Sequence, residues 1–212
     1  IKKSLTDESD QLTSNISVAT VSGRWNLGLQ TTDASAGRKK TKEVLLSLAQ
    51  GGIVSMTDGN DQIIARPPQI LPWRPMTDND RGCSHGFDRS VWFGAGRYAT
   101  VSDIKTDVSD QSISAVYTYR LANPHHTPVT LSYQVDSTAR VHLHLSYPGS
   151  AEEQTPSLPA FGLEWALPAR YSNLTYYGFG DDENYQDRRE GSHLGIFSTT
   201  AQQEFAPYLL PQ

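Results

Sequence analysis

The densest group of chemically capable side chains lies in Gly178–Arg188, GFGDDENYQDR, where Asp181, Asp182, Glu183 and Asp187 crowd between two glycines and a pair of arginines. Two carboxylates in one pocket can act as general acid and base, and several together can hold a cation. The same residue types can instead fasten a turn, because Asp and Asn bond nearby backbone and carboxylates pair with arginine. Residue types and spacing leave both readings open.

A second stretch, Arg66–Gly82, reads RPPQILPWRPMTDNDRG. Prolines at 67, 68, 72 and 75 exclude a helix and enforce an extended path. The path ends in Thr77-Asp78-Asn79-Asp80-Arg81-Gly82, whose side chains readily bond their own backbone. Asp, Asn and Arg beside a Trp such as Trp73 suit a sugar, holding its hydroxyls against an apolar platform. A rigid surface crossover with a polar cap would have the same composition.

The remaining candidates are weaker. His142 and His144 lie two apart on a strand, a spacing compatible with a metal, but with no third ligand nearby they read as solvated polar-face residues. His125 and His126 sit in a Pro- and Asn-bounded turn. Cys83 would need a histidine base held against its thiol to act as a nucleophile, and the closeness of His85 in sequence does not supply that geometry. No Gly-rich phosphate loop of standard spacing is present, and a single cysteine excludes a zinc-binding Cys pattern.

The elements that must position these groups are mostly strands. Ile113, Ala115, Tyr117, Tyr119 and Leu121 alternate with Ser114, Thr118 and Arg120, and Val129–Val135 and Val141–Leu145 alternate with polar residues in the same way. Phe161, Leu163, Trp165 and Leu167 repeat the pattern. Period-two alternation marks antiparallel strands with one buried face. Between Val44 and Ala65, short apolar runs separated by Gly51-Gly52 and Asp58-Gly59-Asn60-Asp61 read as hairpins. Helical periodicity is confined to one stripe, Phe87, Val91, Trp92 and Ala95. Residues 1–15 are polar and read as a linker, with 1–43 as a linker and N-terminal strand region. The fold class expected is all-β, two packed antiparallel sheets.

Composition narrows the function. The 212 residues carry a net charge of −5, which argues against a nucleic-acid partner needing a basic face and gives no reason for attachment to an anionic membrane. No apolar run approaches the ~20 residues of a membrane span. The lone Cys83 forms no internal disulfide, so a cytoplasmic location is the default expectation. Sequons at Asn15 and Asn173 would matter only in a secretory pathway.

The pair WRPMTDNDRG (73–82) and YYGFGDDENYQDR (176–188) resembles the small-chain, C-terminal domain of glycoside hydrolase family 2 β-galactosidases, and is similar to the separate small subunit of heterodimeric lactic-acid-bacterial enzymes. The order agrees as well: Gly51-Gly52, Arg66-Pro-Pro, Trp-Arg-Pro, Asp-Asn-Asp, the 178–188 motif, then Pro207-Tyr208 through Pro211-Gln212. The likeness runs from about Val44 to the end. It implies a large β-sandwich of the type shared with galactose mutarotases across 44–212, incomplete at its C-terminus. It also implies that both catalytic carboxylates belong to a separate barrel domain or large subunit, so that this chain has no catalytic residues and is inactive alone. Its role would be to pack on the barrel and help close the pocket in which terminal β-D-galactosides such as lactose are hydrolysed. The loop implied for that role comprises Asp78, Asn79, Asp80, Gly82, Cys83, Ser84 and His85, with Gly82 as a hinge. Family enzymes use Mg and Na ions bound mainly by other domains, so no cofactor is expected here. In this light Gly178, Gly180, Glu183, Asn184, Tyr185, Asp187 and Arg188 read as a structural fastener, with Glu183 and Asp187 partly buried.

Two alternatives stand beside that reading. A mutarotase-like enzyme or small glycosidase would need an acid/base pair, such as His85 or His193 with Asp80, Glu183 or Asp187. A stand-alone sugar-binding sandwich would use Trp73, Trp92 or Trp165 as a platform, although Trp165 alternates with core residues.

Overall fold

The computed structural model describes residues 16–34, 40–82, 85–149, 155–180 and 189–204. The polar start at 1–15, Cys83, Ser84, the run 181–188 and the Pro-Tyr element at 207–212 lie outside the described residues.

The first five strands are β1 (Ile16–Ser22), β2 (Asn26–Asp33), β3 (Lys40–Ser47), β4 (Ile53–Asp58) and β5 (Asp61–Gln62). They form an antiparallel meander in sequence order. Alternation decides which face is buried: Leu27, Leu29, Val44, Leu46 and Ile53 turn inward, and Leu27 faces Leu46 while Leu29 faces Val44 across the ladder. The strands before Val44 thus share one sheet with those after it, since β3 crosses that position. Gly51 and Gly52 connect β3 to β4 at φ +80 and +79. A Cβ on Gly51 would stand 2.6 Å from Tyr119 Oη and 2.7 Å from Val101 Cγ2, so this turn requires glycine for both conformation and space.

A second meander comprises β7 (Thr100–Val108), β8 (Ile113–Arg120), β9 (Pro128–Val135) and β10 (Val141–Ser146), ordered β10-β9-β8-β7. Ile113, Ala115 and Tyr117 from β8 and Leu131, Tyr133 and Val135 from β9 share one core with the inward residues of the first sheet. Two antiparallel sheets joined through a common apolar layer make a sandwich, as the alternation predicts. Each fully buried Leu, Ile or Val contributes about 2 kcal/mol of burial free energy. On β10 the expected inward set breaks down. Leu143 is 40% exposed, because β10 is an edge strand of its sheet.

A two-stranded ladder pairs β6 (Arg66–Leu71) with β11 (Gly162–Ala166). Pro67 and Pro68 fit there because the outer side of β6 needs no ladder donor among the described strands. Phe161 and Leu167, just outside β11, are 40% and 47% exposed, whereas Leu163 and Trp165 pack on the core.

The helical stripe expected at Phe87–Ala95 is not one helix. Helix α1 spans Asp78–Gly82 and α2 spans His85–Asp88, followed by a 3-10 turn at Arg89–Trp92. Gly94, at φ +71, stops any continuation. Only part of the stripe faces inward: Trp92 and Ala95 are fully buried, while Phe87 is 86% exposed. Trp92 anchors a second core with Ile70, Ala95, Leu121 and Val129, and its Nε1–H donates to the Pro156 carbonyl at 3.0 Å. Gly96 admits this packing, since a Cβ there would lie 1.8 Å from the Ile70 carbonyl oxygen.

All of these elements belong to one compact unit ending at Ala166. A second unit begins at Leu167 and holds β12 (Asn173–Gly180) paired antiparallel with β13 (His193–Thr200). Tyr176 and Phe197 face each other across it with ring centres 5.5 Å apart.

Candidate functional site

The Asp-Asn-Asp stretch is organised around Asp80. Pro72 and Pro75 carry the chain out of β6 in extended form, and α1 then turns Asp80 back toward its own entry. Thr77 closes that turn, donating to Asp80 Oδ2 from its backbone N–H at 3.0 Å and from Oγ1 at 3.1 Å. Arg74 Nη1 reaches the same oxygen at 2.6 Å, and Arg89 Nη1 reaches Oδ1 at 2.5 Å. Asp80 is the one buried acid among the described residues. Burial alone would raise its carboxyl pKa, but the hydrogen bonds from Arg74 and Thr77 outweigh that effect and hold it at about 2.

This geometry separates the loop residues by role. Asp80 stays ionised with both oxygens engaged, so it neither shuttles a proton near neutrality nor offers a free oxygen to a sugar hydroxyl. Asn79 and Gly82 are exposed, and Gly82 ends α1 with open space around it. Asp78 opens α1 and His85 opens α2, while Cys83 and Ser84 lie outside the described residues. Sequence reasoning grouped Asp80 with sugar-binding polar residues and passed over Arg89. The available signal was a Pro-stiffened acidic turn with arginines at 74 and 89, both within reach of a short crossover.

The aromatic candidates divide too. Trp92 has no exposed surface and cannot serve as a platform. Trp165 packs on the larger core. Trp73 is half-buried against the second core and meets Phe93 edge to face, with ring centres 5.7 Å apart at 82°. Phe93 is 72% exposed, so this pair presents an aromatic surface beside the Asp80 cluster.

Elsewhere, His142 Nε2 lies 3.6 Å from Asp136 Oδ2, a one-to-one contact. Among the described residues no three His, Cys, Asp or Glu side chains gather in a metal-binding group. A cavity of about 300 Å³ is lined by Gln50, Arg66, Gln69, Arg97 and Tyr119, among others; it takes in the Gly51 turn and the Arg66-Pro-Pro run but, among the described residues, none of the candidate loop Asp78–His85. Arg66 on its rim is paired with Glu164. In the second unit Gly180 is the last residue of β12, with the space above it filled by Tyr176 Oη and Phe197, and His193 packs its ring against Phe197 at 5.3 Å. Glu183, Asn184, Tyr185, Asp187 and Arg188 lie outside the described residues. No helix among the described residues is long and apolar enough to cross a membrane.

Fold and site together define an all-β module in which the one buried acid among the described residues sits in an ion-paired turn. The sequence model of the family described as Beta galactosidase small chain matches residues 38–212. Beta-galactosidase BgaC of Bifidobacterium adolescentis is 46% identical over 191 residues, covering 90% of this chain and 17% of that protein. The β-galactosidase of Streptococcus thermophilus is 36% identical, with 91% of this chain and 18% of the relative covered. The β-galactosidase small subunit of Latilactobacillus sakei is 28% identical over 77% of this chain and 58% of its own length. The chain belongs to the β-galactosidase small-chain family. It spans 17 to 18% of the length of the Bifidobacterium and Streptococcus relatives.

Proposed function

We propose that the chain is the small-chain module of a β-galactosidase, one that does not itself break the glycosidic bond. It packs on a catalytic barrel domain or large subunit and completes the pocket for terminal β-D-galactosides such as lactose. The observation that carries this reading is the family match across 38–212, together with a relative described as a separate small subunit. The Asp80 geometry supports it. The one buried acid among the described residues is locked in two arginine contacts, which suits a structural part and not a general acid or base. The surface next to it, Trp73–Phe93 and the α1 turn, is where the module would meet the sugar pocket.

Reconstitution tests the proposal. The chain, mixed with a β-galactosidase large part lacking its own small-chain module, restores hydrolysis of a chromogenic galactoside, while the chain alone gives none. Full activity of the large part without any such module would overturn the reading, as would turnover by the isolated chain.

A further inference from the structure

Asp80 adds polar links between segments that the second core also packs together. Through Arg74 it holds the chain leaving β6, through Thr77 the entry to α1, and through Arg89 the 3-10 turn that carries Trp92. Arg74 extends the network, donating from Nε to the Pro159 carbonyl at 3.1 Å and from Nη1 to the Pro75 carbonyl at 3.0 Å. The Pro159 contact reaches the segment just before β11, eighty-five positions along the chain.

The aromatic pair stands at the two ends of the linked segments. Trp73 immediately precedes Arg74, and Phe93 immediately follows the 3-10 turn that Arg89 opens. Between them Trp92 is sunk in the second core and bonded to Pro156. Each ring is therefore tied to the carboxylate by one short stretch of backbone, Trp73 next to Arg74 and Phe93 at the end of the turn that Arg89 opens. Among the described residues no cation–π contact joins either ring to Arg74 or Arg89, so Asp80 acts on them through geometry.

We propose that Asp80 is a positioning residue for galactoside hydrolysis: its paired contacts to Arg74 and Arg89 set the Trp73–Phe93 surface that the module presents to the sugar pocket. The inference rests on the proposed function and names what in the module determines the fit. Asp80 itself touches no sugar. Misplacement of an aromatic wall by about 1 Å is enough to cost ~10- to 100-fold in kcat/KM. Because such a wall contacts the bound ground state as well as the transition state, the loss falls mainly on KM.

The test uses the complete β-galactosidase carrying this module. Asp80→Asn keeps the shape and removes the charge, Arg89→Lys keeps the charge and removes the planar fork, and Phe93→Leu removes the ring from an exposed position. Each is assayed with o-nitrophenyl galactoside well below its own unfolding temperature. The expected result is a KM raised ~10-fold or more for Asp80→Asn, a smaller rise for Arg89→Lys, and a rise for Phe93→Leu that is less than additive when combined with Asp80→Asn. Phe93→Leu and Arg89→Lys keep the question answerable if Asp80→Asn fails to fold. Lowered unfolding temperatures with KM unchanged in all folded variants would overturn the inference, leaving Asp80 a purely structural residue. Omission of the whole module separates the two ideas. If activity is lost without the module yet the variants are normal, only the positioning role fails. If activity survives without it, the functional reading fails first.

Discussion

Arg89 Nη1 lies 2.5 Å from Asp80 Oδ1, and with Arg74 on the other oxygen the carboxylate is held from two sides. A contact of this kind between ionised groups exceeds a neutral hydrogen bond about twofold in strength. It also makes stability depend on pH. The Asp80 pKa is lowered from 3.8 to about 2 in the fold, so its contribution is complete above pH 3.8 and is lost as pH falls through that value toward 2. The lost contribution amounts to about 2 kcal/mol. Urea unfolding of the protein and of Asp80→Asn, measured from pH 6 down to pH 2, should show a stability gap that closes over that acid range. A gap that does not change with pH would contradict the ionised, doubly paired state.

Replacing Gly51 by alanine should destabilise the first unit by about 2–4 kcal/mol, combining a positive-φ penalty with overpacking. The new methyl would meet Tyr119 Oη and Val101 Cγ2 well inside contact distance. Those neighbours are hard to displace: Tyr119 packs on the core, and burial moves its phenol pKa upward. Denaturant midpoints measure the effect directly.

Gly82→Ala is expected to behave in the opposite way. Its Cβ would meet nothing within 4 Å and its φ lies outside the left-handed region, so unfolding should change by no more than about 0.5 kcal/mol. If Gly82 is a hinge in the assembled enzyme, the substitution instead changes kcat and KM with stability intact. Parallel thermal unfolding and steady-state assays distinguish the two effects.

Trp92→Phe should cost about 1–3 kcal/mol, through lost volume in the second core and a Pro156 carbonyl left without its donor. The Pro156 bond and complete burial of Trp92 both point this way. Because Trp92 neighbours Phe93, the variant also reports on the aromatic surface, and thermal unfolding with and without the large part would register both effects.

The strands were legible in the sequence because period-two alternation survives wherever one face is buried. Ile113, Ala115 and Tyr117, and Val129 through Val135, show it without a break. The same rule misplaces Leu143, since alternation does not distinguish an edge strand from a central one. The stripe at Phe87–Ala95 fails for a different reason. Trp92 is pulled inward by partners more than fifty positions away, Pro156 and Tyr147, and no local period encodes them. Asp80 shows the limit for the site. Its residue type and setting suggested hydroxyl binding, but whether its oxygens are free depends on Arg89 arriving from the far side of α2. Motif order, by contrast, carried the family well, because long motifs need no knowledge of contacts.

The pairing of β6 with β11 bears on how the first unit assembles. Every strand in the two meanders bonds to its neighbour in sequence, so those ladders close short loops. Leu71 opposite Gly162 and Ile70 opposite Leu163 instead bring together residues about ninety positions apart. The second meander lies wholly between these two strands, so their ladder closes a far longer loop than any hairpin of the meanders and costs more chain entropy to form. The segments it draws in, from β6 to Trp73 and from Pro156 to β11, are those that frame the Asp80 cluster, so the candidate site depends on a contact that spans the second meander.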